Sequence, residues 1–196
     1  MQLKKDLTKS MFANALVEML QDMPLEKVRV TKLCEHCGTT PPTFYYYFRD
    51  KYELVVWIFL QDVAAVYSAR KPDGSAKGLS RIIRQVKKKK TFYQKAFTDQ
   101  SQNSLSEYAQ SFIIRYYKEA IRHDAGEDPT PEQLFAIKYH MYGILGMFRE
   151  WLYGQDTSFE EMSQLLYERS PDFLRKAFAG YPLSAVDIYR LLDTAT

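Results

Sequence analysis

The chain of 196 residues is 46% hydrophobic and 26% charged, which excludes a disordered polymer and leaves room for one sizeable core with a small appended module. No apolar run approaches the roughly 20 residues that span a bilayer, and polar groups interrupt the first 20 residues too often for a signal peptide; a cytoplasmic protein with no membrane partner and two reduced thiols, Cys34 and Cys37, is expected. The formal net charge of +3 is uneven: residues 1–60 sum to +1, 61–98 to +8 and 99–196 to −6, an asymmetry compatible with a nucleic-acid partner although the basic excess lies in the middle of the chain.

Apolar residues recur at three- and four-residue spacing along almost the whole chain, without strand-like alternation, and this predicts an all-α fold. The first helix is expected over 5–21, with Leu7, Met11, Phe12, Leu16 and Leu20 in register, and Pro24 ends it. A second helix of barely two turns takes Thr31 as its N-cap and stops at Gly38, a residue suited to a left-handed position. Thr40 caps a third helix over 41–48, whose first positions, Pro41 and Pro42, have no intrahelical acceptor to lose. Asp50 caps a fourth through "KYELVVWIFLQDVAAVYSA". Further helices are expected near 78–90, 92–98, 104–123, 131–154, 158–169 and 171–179, and a short terminal one in "YPLSAVDIYRLLDTAT".

Two short helices joined by a glycine-containing turn form a helix-turn-helix, whose second helix lies in the major groove of DNA. Here that helix is "TTPPTFYYYF", residues 39–48, without a charged side chain. The longer run "VTKLCEHCGTTPPTFYYYFRDKYEL" resembles the N-terminal signature of the TetR family of transcriptional regulators through Gly38, Thr43, Phe44, Tyr45, Tyr47, Phe48, Lys51 and Leu54. The resemblance implies a three-helix, helix-turn-helix domain over 1–50 and a C-terminal helical dimerisation and ligand-binding domain over 51–196, in a homodimer that meets double-stranded DNA. It implies that Thr40 caps the recognition helix, that Pro41, Pro42 and Thr43 face the groove, and that Tyr45 and Lys51 touch phosphates. Phe44 and Phe48 are then core, Tyr46 is exposed and Tyr47 packs partly on the first helix. Arg29, Thr31, Lys32, Thr39 and Arg49 complete the DNA-facing set.

Direct base reading relies on Arg to guanine and Asn or Gln to adenine, and residues 39–48 hold none of these. Apolar contact with thymine methyls and hydroxyl hydrogen bonds remain, with cations on the rim for phosphates. The runs "ELVVWIF" and "TFYQKAF" are similar to the branch of the family that includes activators of dihydroxyacetone kinase operons, whose members act by pairing with another protein and need not bind DNA. Two readings therefore stand: a ligand-responsive repressor on a near-palindromic operator, and a coactivator that binds a protein partner.

Other features are weighed against plainer readings. "CEHC" has ligand-like spacing, but a structural zinc site wants four ligands and no second Cys or His pair exists, so no metal and no cofactor are expected. The acid-free run "RIIRQVKKKKTFYQKAF" reads as a solvated helix end. No phosphate loop, nucleophile elbow or paired carboxylates point to an enzyme. Under the family resemblance, helices over 131–154 and 158–169 form a four-helix dimer bundle through Met141, Leu145, Phe148, Leu152, Met162 and Leu166. An inducer of unknown identity would be lined by Tyr93, Phe97, Tyr108, Phe112, Tyr116, Tyr139 and Phe148.

Overall fold

A computed structural model of the chain describes residues 2–68, 76–98, 104–154 and 158–181. Among the described residues every regular element is helical: α1 Gln2–Asp22, α2 Val30–His36, α3 Pro41–Tyr47, α4 Lys51–Ser68, α5 Ala76–Lys88, α6 Lys90–Thr98, α7 Leu105–Ala125, α8 Pro131–Tyr153, α9 Phe159–Glu168 and α10 Asp172–Gly180, with a 3-10 turn over Leu25–Lys27. The all-α expectation holds, and the elements fall within a few residues of the spacing-based bounds. The expected terminal helix lies, beyond Tyr181, outside the described residues. No described helix is long and apolar enough to cross a membrane.

The chain divides into two compact units, one built from 1–59 and 89–108, the other from 60–88 and 109–196. In the first, α1 packs on α2 and on α6, and α2 packs on α3. Phe12, Leu16, Leu20, Leu33, Phe44 and Phe92 are fully enclosed there. Lys95 on α6 donates to the Gln21 carbonyl at 2.9 Å, which satisfies an end carbonyl of α1 that has no intrahelical partner.

Local chemistry sets the turns. At the end of α2, Gly38 adopts φ +62°, the Thr39 amide donates to the Cys34 carbonyl at 2.9 Å and the Gly38 amide to Glu35 at 3.1 Å. These two bonds make a Schellman motif, which needs a residue free of a Cβ penalty at that position. Asp50 Oδ1 accepts from the amides of Tyr52 and Glu53 at 2.8 and 2.9 Å and so caps α4. Thr130 and Gln133 form a reciprocal capping box at the start of α8.

In the second unit, α5 packs against α9, and Tyr117, Ile121, Ile137, Leu174 and Ala177 close a cluster among α7, α8 and α10. His140 of α8 stacks on Tyr117 and its Nε2 lies 3.0 Å from Ser170 Oγ. That hydroxyl gives its single proton to the Leu166 carbonyl at 2.9 Å, so Nε2 carries the imidazole proton and donates. Burial holds the His140 pKa below its ordinary value. The unfolded chain therefore takes up the proton first as pH falls through about 6.5, and stability is full above that pH and declines below it. Urea unfolding at pH 7.5 and 5.5 is expected to show this loss, and His140→Gln to show less of it.

Candidate nucleic-acid interface

The recognition helix α3 is anchored from below. Phe44 is fully buried, edge-on to Phe12 at 5.2 Å and tilted against Phe48 at 5.6 Å. With a helical repeat of 3.6 residues, burying positions 44 and 48 turns 42, 45 and 46 outward. Tyr45 is 56% and Tyr46 68% exposed, and Pro42 is exposed beside them. Tyr46 rests edge-on to Tyr47, with the Lys5 ammonium of α1 over its ring at 5.8 Å. Thr39 and Thr43 are half-buried and Thr40 exposed, so α3 itself presents hydroxyls and ring faces and no charge, with Lys5 of α1 over one ring.

Three cations near α3 in sequence are exposed. Arg29, the N-cap residue of α2, is exposed. Lys32 Nζ donates to Glu35 at 2.7 Å and Arg49 Nε lies 3.5 Å from Glu53. Both pairs are solvent-exposed, and such pairs contribute about 0–1 kcal/mol, so a phosphate can displace the carboxylates.

Two helix-cap expectations at this site are corrected. Thr31 is not an N-cap, because α2 begins at Val30 with Arg29 in the cap position, and Thr31 lies exposed in the first turn. Thr40 holds the cap position of α3, but its hydroxyl lies 3.3 Å from Thr43 Oγ1 and caps no amide. Pro42 removes one of the two amides a cap would serve, and the other, Thr43 N, bonds the Thr40 carbonyl at 3.0 Å. Lys51, which the resemblance assigns to phosphate, has Nζ donating to the carbonyls of Leu25, Glu26 and Val28 at 2.8, 2.9 and 3.0 Å, as many acceptors as an ammonium has protons.

The "CEHC" side chains serve the helix packing. Cys34 is buried, Cys37 Sγ faces the Met11 carbonyl at 3.9 Å and His36 Nε2 lies 2.9 Å from Glu18 Oε2 on α1. Burial pushes both thiols up, with the neighbouring Cys34 and Glu18 adding to the rise at Cys37.

The aromatic set expected to line a ligand site has members in both compact units. Tyr93 and Phe97 lie in the core of the first unit, where Tyr108 ends the chain segment. Phe112 is buried and Tyr116 and Phe148 half-buried in the second; Tyr116 donates to the Tyr181 carbonyl at 2.9 Å. Tyr139 is 76% exposed, which removes it from any cavity wall.

The residues of the expected dimerisation set differ in burial. Met141, Leu145, Leu152 and Met162 are buried within the protomer, and Phe148 and Leu166 are half-buried. The exposed apolar face of α8 is the opposite one, with Phe135, Tyr139, Tyr142, Met147 and Tyr153 and the exposed Gly143 and Gly146 between them. Both faces have helical periodicity, and the two glycines were the available signal for the outer one.

The split of α3 into plug and surface predicts opposite effects of neighbouring truncations. Phe44→Ala is expected to destabilise by about 3–5 kcal/mol, whereas Tyr45→Ala and Tyr46→Ala stay within about 0.5 kcal/mol of the parent, as read by urea unfolding of the full chain.

Two family models match the chain: "Bacterial regulatory proteins, tetR family" over residues 14–57 and "Transcriptional regulator C-terminal region" over 74–170. No curated protein matches. Among solved structures, a "Dihydroxyacetone kinase operon activator DhaS" aligns at 20% identity and TM-score 0.59 over 90% of this chain and 98% of that one. A TetR transcriptional regulator from Rhodococcus sp. RHA1 aligns at 16% and 0.58 over 86% and 96%, and a tetR-family regulator from Streptomyces coelicolor at 13% and 0.55 over 96% and 100%. At these identities the likeness is one of fold. With the helix-turn-helix in front and the matched helical body behind it, the chain belongs to the TetR family of transcriptional regulators.

Proposed function

We propose that the protein is a cytoplasmic homodimeric repressor that binds a near-palindromic operator through α3 and releases it when a small molecule occupies the C-terminal body. The observation that supports this best is the presentation of α3: its outward face is exposed and rich in hydroxyls, and Arg29, Lys32 and Arg49, near it in sequence, are exposed as well. Hydroxyl and methyl contacts read the groove while the cations hold phosphates. Two recognition helices in a dimer would enter successive major grooves about 34 Å apart. Phe112, Tyr116 and Phe148 are the residues of the expected ligand set retained for an apolar inducer, since they lie buried or half-buried in the second unit.

Selection from a random duplex library at about 150 mM salt is expected to recover a palindrome. With these three cations per protomer, the slope of log affinity against log salt is expected near about −5. A second reading draws on the same face: it bears Pro42, Tyr45 and Tyr46 and no charge, and interface cores are enriched in aromatics and depleted of charge. Retention of duplex at low salt only, without sequence preference, would favour a protein partner, in keeping with the likeness to an operon activator.

The dimer is proposed to form through the outer face of α8, Phe135, Tyr139, Tyr142, Met147 and Tyr153. An exposed mid-helix glycine costs roughly 0.5–1 kcal/mol relative to alanine. A Cβ at Gly143 or Gly146 would meet nothing within 4 Å in the protomer, so neither is required by packing within the chain. Close approach of a partner helix accounts for both. The protein is expected to sediment at twice the 23.0 kDa of one chain. Tyr142→Glu and Gly146→Leu are each expected to yield folded monomer, whereas a dimer indifferent to both would place the interface elsewhere.

A further inference from the structure

We propose that Lys51 is a positioning residue, which latches the start of α4 to the turn ahead of α2 and thereby holds Arg29 and the helix-turn-helix entry in place, and that it does not contact phosphate. The proposal concerns the site read above as DNA-binding, and its first readout is independent of that reading. The three carbonyls that converge on Nζ belong to Leu25 and Glu26 of the 3-10 turn and to Val28, which follows it. They come from a segment 23 to 26 residues upstream in sequence.

Leu25 and Val28 are buried, so their side chains pin the turn from inside while Lys51 pins its carbonyls. The Leu25 carbonyl also accepts from Val28 N at 3.1 Å and uses a second lone pair for Lys51, and a cation at the negative end of a helical turn is favourable. Hydrogen bonds to a charged donor are also the stronger kind. The next residue after this clamp is Arg29, whose carbonyl accepts from Leu33 N at 3.1 Å in the first turn of α2. Moving the turn therefore moves both the start of α2 and the origin of the Arg29 side chain.

A phosphate contact and a carbonyl clamp differ in what can replace the lysine. Arginine serves a phosphate well, but its planar fork cannot direct three donors to three convergent oxygens. Lys51→Met keeps the apolar stem and removes the donors, and Lys51→Arg keeps the charge. In the full chain both are expected to speed amide hydrogen exchange over residues 25–33 by about tenfold or more, with α7 and α8 unchanged and with Arg29→Met leaving exchange as in the parent. On a duplex the parent retains, Lys51→Met is expected to weaken binding while keeping the salt slope, whereas Arg29→Met flattens the slope by about one per protomer.

Parental exchange in both Lys51 variants overturns the proposal, as does full rescue of binding by Lys51→Arg with a flattened slope in Lys51→Met. Failure of the parent to retain any duplex overturns the DNA reading, and the exchange comparison then decides the clamp alone. A Lys51→Met chain too unstable to purify leaves Lys51→Arg to be measured in its place.

Discussion

Burial of Phe44 is the constraint from which the presented surface follows. Once that ring is enclosed against Phe12 and Phe48, α3 can no longer rotate, and each of its seven residues has an assigned side. The Schellman turn at Gly38 sets where the helix begins, and the Asp50 cap sets where α4 takes over. Between these two fixed ends the outward positions fall to Pro42, Tyr45 and Tyr46. Their exposure is a by-product of the core, since a residue at 45 or 46 has no inward place to go.

The cations near α3 in sequence divide by environment, and the division decides what each can do. Lys32 and Arg49 hold carboxylates in open solvent, where the pairing is weak and exchangeable. Lys51 is half-buried and meets three backbone oxygens, where removing one partner leaves polar groups without compensation. Sequence proximity to α3 says nothing of this difference: Arg49 and Lys51 are two residues apart and sit in opposite environments.

Much of the molecule was legible in its sequence because local signals agreed. Periodicity placed the helices, Gly38 marked a left-handed turn, Asp50 a cap, and the resemblance to the family signature divided plug from surface over 44–48. What escaped depended on partners distant in sequence. The Lys51 clamp joins residues more than twenty positions apart, and nothing near Lys90–Thr98 announces that α6 packs on α1. In α8 the periodicity is satisfied twice, by Ile137, Met141 and Leu145 inside and by Phe135, Tyr139 and Tyr142 outside. A pattern of spacing cannot rank two apolar faces, and the shorter, more aliphatic residues turned out to be the enclosed ones. Thr31 yielded the cap to Arg29 because α2 begins one residue before it, a shift within the ordinary uncertainty of helix ends.

The paired prolines at the start of α3 have a further consequence, for the thermodynamics of encounter. Each locks its own φ, and Thr40 before them sits at φ −121°, ψ 154°, in the extended region that a residue preceding proline favours in any state of the chain. Much of the ordering of this turn is thus done before folding and before any partner arrives. Little conformational entropy remains to be lost on binding, and little freedom remains for the surface to reshape itself. Whatever docks on Tyr45 and Tyr46 meets a stiff template, so selectivity rests with the partner's ability to conform to it.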